Sequence, residues 1–304
     1  MEEYSRGKAL KSVKGSILVL MNAIAICGNI FVCWAIYRKR KTFSVLYLYI
    51  LALAISDLTV AITCFPFCIE AFLADRWLHG HAMCQFIGFT IYYWAGISVP
   101  TLALTAVNRY FRVVKTHIYQ NFFTIMSSVK MILTVWALTL FDGLISTFVG
   151  PVIYKYNPRY FFCIGTFVSK AHERAIGLSL HLIHVFIPLL TILFCYSNVF
   201  FAIRRHKTNV MPSLHAGNGQ QLAVNAWEMR VTRLLFLVVV GFVLCWIPVI
   251  IIGLLAHSSS LKLPDSAYEL YTFFAFASAV INPIIYGVAN RGFRREFIGI
   301  FRCS

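Results

Sequence analysis

Charged residues are scarce in this sequence, and acidic ones are scarcest. Only 12% of the 304 residues are charged, with 11 acidic against 27 basic side chains, whereas 60% are hydrophobic. A soluble globular domain usually carries about 25% charged and about 45–50% apolar residues. A soluble fold of this length has no core large enough to bury so much apolar surface, which excludes an ordinary soluble enzyme. The lipid bilayer is the solvent that suits this composition.

Other features of the composition narrow the class further. The nine cysteines are too few and too scattered for a disulfide scaffold. The first fourteen residues are charged and have no apolar core, so we expect no cleavable signal peptide. Despite a net charge of +16, the basic residues form short clusters between apolar runs, such as Arg38 to Lys41. These clusters suit loops beside anionic lipid headgroups, so we expect membrane lipids as partners and no nucleic acid.

Seven segments are long and apolar enough to be membrane helices, since about 20 apolar residues cross the hydrocarbon core. They cover approximately residues 16–37, 46–73, 84–113, 129–151, 175–203, 230–256 and 267–289. We therefore predict an all-α membrane protein, with residues 1–304 forming a single seven-helix bundle. In residues 290–302, Phe293, Phe297 and Phe301 alternate with arginines, which predicts a short amphipathic helix on the membrane surface.

Basic residues between the spans predict the orientation, because cytoplasmic loops carry an excess of lysine and arginine. With the C-terminus inside, the cytoplasmic segments hold 17 of the 27 basic residues, and only Glu228 and Glu296 among the acids. We expect a multi-pass protein of the plasma membrane with an extracellular N-terminus. Cys303, near the cytoplasmic C-terminus, is a candidate for lipidation.

Asp57 lies deep inside the second predicted span. A carboxylate at this depth costs about 2.5–3.5 kcal/mol, so it should face the bundle interior and have polar partners. Asn29 and Asn282 are natural partners, and Ser98 and Ser278 are further candidates. Two interpretations stay open. Asp57 is a structural hydrogen-bonding group, or it lines a cavity in which Asp57, Ser98, Ser278 and Asn282 hold water or an allosteric sodium ion. We expect no other cofactor.

Short motifs occur in order along the spans. They are Gly28-Asn29, Leu53-Ala54-Ile55-Ser56-Asp57, Asn108-Arg109-Tyr110, Trp136, Pro188 with Tyr196, Cys245-Trp246-Ile247-Pro248, Asn282-Pro283-Ile284-Ile285-Tyr286 and Phe293-Arg294. With this set, the chain resembles rhodopsin-like G-protein-coupled receptors over essentially its whole length. The resemblance implies a receptor rather than an enzyme. Such a receptor binds a small extracellular ligand and activates a heterotrimeric G protein, by analogy one of the inhibitory type.

The resemblance also implies an activation switch. Arg109 would pair with Glu228, and Tyr196 and Tyr286 would stabilise Arg109 in the active state. Two independently solvated charges remain the alternative for Arg109 and Glu228. Asn108 replaces the aspartate usual in this family, so we expect a local clamp on Arg109 to be missing. The remaining switch positions are Tyr110, Phe242, Trp246, Pro248, Asn282 and Pro283, with Trp246 and Pro248 as the element that converts ligand binding into helix movement.

Two further consequences of the resemblance concern the outer side. Cys84 and Cys163 lie in polar connecting segments and would form the disulfide bridge of the family, with a pair of free thiols as the alternative. Ile91 stands where amine receptors carry an aspartate, which disfavours an amine ligand. Phe276 stands where retinal pigments carry a lysine, which excludes an opsin.

Within the family, the chain resembles melatonin receptors. The residues that carry this likeness are Asn108-Arg109-Tyr110, the loop Tyr156-Asn157-Pro158-Arg159-Tyr160-Phe161-Phe162-Cys163, and His184 one turn before Pro188. There, a histidine would donate to a methoxy oxygen; a satisfied core histidine is the alternative. Ser146 and Phe167 replace the two amides that hold the ligand in melatonin receptors, and Pro283 replaces an alanine.

We therefore expect a small, mostly apolar ligand. Its pocket would be lined by Ile91, Tyr92, His181, His184 and Trp246. A peptide or lipid ligand is the alternative within the receptor class, and a membrane transporter is the alternative outside it.

Overall fold

Seven helical spans make up the protein. The computed structural model describes residues 2–38, 44–149, 152–167, 169, 182–210, 219–257, 263–289 and 294. In this part of the chain, seven helical stretches have the length and composition to cross a membrane. The predicted all-α, seven-helix fold is therefore confirmed. The predicted surface helix over 290–302 lies outside the described residues, except for Arg294, as do residues 175–181 of the fifth predicted span.

In the described ranges, eight α-helices and a π-helical turn form the spans, and a ninth α-helix connects two of them. The first four spans are α1 (Glu2–Arg38), α2 (Val45–Thr63) with α3 (Phe65–Ala74), α4 (Gly80–Val113) and α6 (Ile125–Phe148), and the short helix α5 (Thr116–Phe122) connects α4 and α6. The last three are a π-helical turn (Leu182–Phe186) with α7 (Ile187–Val210), α8 (Gly219–His257) and α9 (Asp265–Ala289). Several helices extend beyond the apolar segments, because hydropathy marks the thickness of the hydrocarbon and not the helix ends.

Prolines explain where the spans are irregular. The second span is divided at Cys64. Pro66 occupies the first turn of α3, where a backbone N–H has no partner within the helix, so the missing N–H of proline costs no hydrogen bond. In the fifth span, Pro188 cannot donate to the carbonyl of His184 four residues earlier. The chain forms a π-helical turn at Leu182–Phe186, so His184 lies on non-α backbone.

The third span, α4, is central in the bundle. It packs against the second, fourth, fifth and sixth spans and against both strands described below. The first span packs between the second and the seventh, and the sixth packs on the seventh. Many large apolar side chains are exposed on the outer helix faces, as Leu133, Phe141 and Leu190 illustrate. Such surfaces are stable when lipid surrounds the bundle.

A β-hairpin covers one end of the bundle. Strands β1 (Val152–Asn157) and β2 (Phe162–Phe167) are antiparallel, with Tyr156 opposite Cys163. Asn157 starts the connecting turn, since its side chain accepts from the Arg159 N–H at 3.0 Å. We call this the hairpin end, and we call the opposite end, near the C-terminus of α4, the Arg109 end.

Gly28 allows the first and seventh spans to approach closely. A Cβ added to Gly28 would lie 2.7 Å from Pro283 Cβ, whose ring cannot rotate away. We expect Gly28→Ala to lower the stability of the protein by about 1–3 kcal/mol through overpacking. Gly287→Ala in α9 is the matched control, because an added Cβ there meets nothing within 4 Å. Thermal unfolding of both purified variants measures the difference, and equal melting temperatures would contradict the close approach.

Candidate functional site

Buried polar side chains connect the first, second and seventh spans near the middle of the bundle. Asn282 donates to Asp57 Oδ2 at 2.8 Å, and Asp57 is only 7% exposed. Asn29 donates to the Ala25 carbonyl at 2.9 Å and to the Ala279 carbonyl at 3.1 Å. The expected partnership of Asp57 with Asn282 is thus present, whereas Asn29 bonds to backbone carbonyls on either side.

This cluster has more acceptors than donors. In the described part of the chain, Asn29 Oδ1 and Asn282 Oδ1 are buried without a hydrogen-bond partner. Ser98 and Ser278 direct their hydroxyl hydrogens to carbonyls of their own helices, at 2.9 Å from Trp94 and 2.7 Å from Ala275. Their oxygen lone pairs remain available as ligands. The Asp57 carboxylate and the unpartnered Asn282 Oδ1 are oxygen atoms of the kind that bind a small hard cation or water.

Arg109 is buried at the other functional centre, and its clamp is not missing. The Asn108 side-chain oxygen accepts from Arg109 Nη2 at 2.7 Å and from Arg109 Nε at 3.2 Å. Asn108 also donates to the Tyr119 hydroxyl of α5 at 3.3 Å. The expectation of a lost clamp is therefore wrong in its geometry, because an amide oxygen has the same reach as a carboxylate oxygen. What the asparagine lacks is the negative charge.

Two tyrosines lie between these centres. Tyr286 is within electrostatic range of both Asp57 and Tyr196, and Tyr196 is within range of Arg109. Both tyrosines belong to one apolar cluster that also contains Phe242 and contacts Trp246 and Tyr110. Phe242 and Trp246 stack with ring centroids 5.6 Å apart, and Pro248 follows Trp246 by two residues in the same helix. The side chain of Glu228 lies outside the described residues, so its pairing with Arg109 stays a prediction.

The hairpin is fastened to the third span by covalent and polar contacts. Cys84 and Cys163 form a disulfide bond, which confirms the predicted bridge. Gln85 accepts from the Tyr154 N–H at 3.0 Å and donates to its carbonyl at 2.5 Å. Burial raises the pKa of the Tyr154 hydroxyl to about 12, so this tyrosine is neutral at physiological pH. The hairpin is therefore fixed over the third span.

On the other side, the hairpin contacts the seventh span. Thr272 donates to the Tyr160 carbonyl at 2.8 Å, and the Tyr160 ring meets Tyr268 and Tyr271 with centroids 4.9 Å away in each case. Arg159 lies 5.2 Å above the Tyr268 ring. The turn of the hairpin thus fills the space next to the second and seventh spans.

The expected ligand contacts are divided among different clusters. Ile91 packs with Phe65 and Phe276, whose rings stack at 3.7 Å. Tyr92 packs beside the disulfide and β1, and Trp246 packs on the cluster of Tyr196. His181 lies outside the described residues. The stacked rings of Phe65 and Phe276 therefore fill the region beside Ile91.

The structure adds a residue that the sequence reasoning missed. Asp142, on the fourth span, has its Oδ2 atom 3.1 Å from Nε2 of the buried His184 on the fifth span. The signal was present in the sequence, because Asp142 is an acid within an apolar run, as Asp57 is. His184 therefore faces a carboxylate that is distant along the chain. Ser146 lies one turn after Asp142 in the same helix, and its hydroxyl donates to the backbone carbonyl of Asp142 at 2.7 Å.

Comparison with known structures defines the class of the fold. The chain is similar to squid rhodopsin, with a TM-score of 0.84 and 25% sequence identity, covering 97% of this chain and 86% of that one. It is also similar to the Danio rerio melatonin receptor type 1B-B, with 26% identity over 293 residues, covering 95% of this chain and 81% of the relative. The Mus musculus melatonin receptor type 1A is 27% identical over 293 residues, covering 95% and 80%.

The match to a family model shows the family. Residues 28–286 match the model of the seven-transmembrane receptor family of the rhodopsin type. The chain belongs to this family, which consists of G-protein-coupled receptors and not of enzymes or transporters. Membership implies a heterotrimeric G protein and a small-molecule ligand as partners, and the relatives confirm the predicted resemblance to melatonin receptors.

The clamp on Arg109 allows a direct test. We expect Asn108→Ala to raise basal nucleotide exchange up to about tenfold, because a hydrogen bond to a charged group contributes about 1.5 kcal/mol or more. Asn108→Asp is the matched comparison and should lower basal exchange, since a carboxylate strengthens the same contact. Exchange on a purified G protein without ligand measures both. Identical basal rates in the three proteins would show that the clamp does not control activity.

Proposed function

We propose that this receptor binds a small, mostly apolar ligand at the hairpin end and activates an inhibitory-type G protein at the Arg109 end. The observation that carries the proposal is the buried Arg109, only 3% exposed and clamped by a neutral amide. A guanidinium buried in this way depends on its polar partners, so loss of the Asn108 contact would favour a state that releases it. Release at this end of α4 would open the site for the G protein.

The hairpin end supports a small ligand rather than a peptide. Tyr160, Phe162 and Cys163 are buried, and they occupy the mouth of the bundle on the side of the second and seventh spans. A peptide would need that mouth to be open. Tyr92 of the third span and Trp246 of the sixth are aromatic and each has a buried polar atom without a hydrogen-bond partner among the described residues, which suits an apolar ligand with one or two hydrogen-bonding groups. Melatonin-like indoles are candidates because the relatives named above are melatonin receptors.

The orientation and location are part of the proposal. Arg38, Arg112, Arg204 and Arg233 all lie at the Arg109 end of their helices, which favours a cytosolic position for this end. The hairpin end and the N-terminus would then be extracellular, in the plasma membrane, where a disulfide is stable. Anionic lipids would bind the arginines, and a lipid on Cys303 would anchor the C-terminal segment.

A sodium ion beside Asp57 is the allosteric part of the proposal. The Asp57 carboxylate, the Asn282 carbonyl oxygen, and the hydroxyl oxygens of Ser98 and Ser278 would hold it. These oxygens fit a hard cation, and the two unpartnered amide oxygens of the cluster are the observation that supports it. The ion would stabilise the state in which the spans around Asp57 remain close together.

Loss of coupling tests the proposed role of Arg109. We expect Arg109→Ala to abolish ligand-stimulated nucleotide exchange on purified inhibitory-type G protein, with surface expression retained. The stimulatory type should respond less to the unmodified receptor. Arg38→Ala is the control, because Arg38 is an exposed arginine at the same end, 5.1 Å from the Trp34 ring. Unchanged exchange by Arg109→Ala would refute the proposal.

Sodium dependence tests the proposed ion site. We expect sodium chloride to raise the melting temperature of the ligand-free receptor relative to choline chloride at equal ionic strength. Asp57→Asn should remove this difference, because an amide attracts the cation far less than a carboxylate does. Glu269→Gln is the control, since Glu269 lies at the hairpin end beside Lys14. A sodium effect that persists in Asp57→Asn would exclude Asp57 as a ligand of the ion.

A further inference from the structure

A groove lies on the outside of the bundle at the Arg109 end, between the third and fourth spans. Leu104 of α4 lines one side of it, and the first three turns of α6 line the other. Its volume is about 600 Å³, within the range of about 300–1,000 Å³ that is usual for ligand pockets. The groove has no part in the proposed ligand pocket, in the sodium site or in the switch described above.

One part of the groove is apolar. Leu104, Met131 and Val135 line it, and all three are half-buried. Leu104 and Met131 also pack on the buried cluster that contains Tyr119 and Phe123. A groove of this kind on a membrane span is filled by hydrocarbon, because no water is present there to solvate polar groups.

The other part of the groove carries a positive charge. Lys130 lines the groove from the second turn of α6, and its side chain is exposed. Among the described residues, no carboxylate forms an ion pair with it. The polar neighbours are used within their own turn, since the Ser127 hydroxyl donates to the Phe122 carbonyl at 2.5 Å and Thr124 accepts from the Ser127 N–H at 3.1 Å. The flexible stem of a lysine lets its ammonium group reach the level of the lipid headgroups.

The apolar wall of the groove is linked to the contact that holds Arg109. The Sδ atom of Met131 lies 4.0 Å from the hydroxyl of Tyr49, and Tyr49 belongs to the same buried cluster as Tyr119. Tyr119 accepts from Asn108, which clamps Arg109. A molecule that fills the groove therefore packs on the cluster that holds α5 in place, and it stabilises the arrangement that it binds.

We propose that the groove binds one anionic phospholipid. The negative headgroup pairs with Lys130, and one acyl chain lies along Leu104, Met131 and Val135. A zwitterionic headgroup carries its own cation and matches the lysine less well, and an anion without acyl chains leaves the apolar part unfilled. The inference rests on the proposed orientation, because anionic lipids are enriched in the cytoplasmic leaflet. It goes beyond a general attraction to the arginines of this end, since it gives one lipid a defined site.

Competition between two lipids tests the site. The purified full chain is given equal amounts of phosphatidylserine and phosphatidylcholine with the same acyl chains, and native mass spectrometry counts the lipids that remain bound. We expect one phosphatidylserine to be retained about tenfold more than phosphatidylcholine, because a contact between opposite charges is stronger than one to a neutral headgroup. Equal retention of the two lipids would overturn the inference.

Two variants locate the bound lipid, one for each part of the groove. Lys130→Gln should remove most of the preference for phosphatidylserine. Lys115→Gln is the matched control, because it removes the same charge from an exposed lysine at the same end, outside the groove. Thr134→Phe places a ring in the groove one turn from Lys130 without changing the charge, and it should also weaken retention. The same preference in Lys130→Gln as in Lys115→Gln, or unchanged retention in Thr134→Phe, would contradict the proposed site.

A headgroup without chains distinguishes a lipid site from a simple charge attraction. Glycerophosphoserine has the headgroup of phosphatidylserine and no acyl chain, so it should not displace the bound lipid. Displacement at equal concentration would show that the apolar part of the groove is not used, and it would overturn the inference. All these measurements are made without a receptor ligand or a G protein. A failure of Arg109 to control coupling therefore leaves the lipid result unchanged, and a failure of lipid retention leaves the coupling test unchanged.

Discussion

The hydrogen bond from Asn282 to Asp57 is the contact on which the arrangement of the spans depends. It places a polar bond of 2.8 Å between the second and seventh spans, at a depth where water does not compensate either group. The first span is close enough for Asn29 to reach the Ala279 carbonyl only because Gly28 has no side chain facing Pro283. The hydrogen bond of Asn29 therefore depends on the close packing of the first span against the seventh.

The same constraint reaches the Arg109 end through the interior. The two tyrosines between Asp57 and Arg109 are buried on the seventh and fifth spans, in a cluster whose other members are apolar. Tyr286 is within electrostatic range of Asp57, and Tyr196 is within range of Arg109. A shift of the seventh span that breaks the bond to Asp57 therefore also displaces Tyr286 relative to Arg109.

Much of this organisation was predictable from the sequence, for physical reasons. Hydropathy located the spans, since a membrane helix must be apolar over a fixed length. The cost of a buried charge identified Asp57 and its partner on another span. The family pattern identified the disulfide between Cys84 and Cys163, whose pairing the structure confirms.

What the sequence did not reveal depends on three-dimensional distances. Asp142 and His184 are on different spans, and no periodicity relates two positions that meet only after the bundle forms. The sequence suggested that Asn108 no longer holds Arg109, because asparagine lacks the charge of aspartate. The distance of 2.7 Å shows that the amide oxygen still accepts a hydrogen bond from the guanidinium. The π-helical turn depends on the backbone before Pro188, which the motif with Tyr196 did not indicate.

Asp142 and Asp57 illustrate two uses of a carboxylate in the membrane. Asp57 accepts from the amide of Asn282, which does not give up a proton. The amide oxygen of Asn282 remains an acceptor without a partner among the described residues, and such an oxygen suits a cation. Asp142 is bonded by an imidazole of another span, whose second ring nitrogen has no hydrogen-bond partner among the described residues. The identity of the partner, amide or imidazole, therefore decides which polar atom is left beside each of these carboxylates.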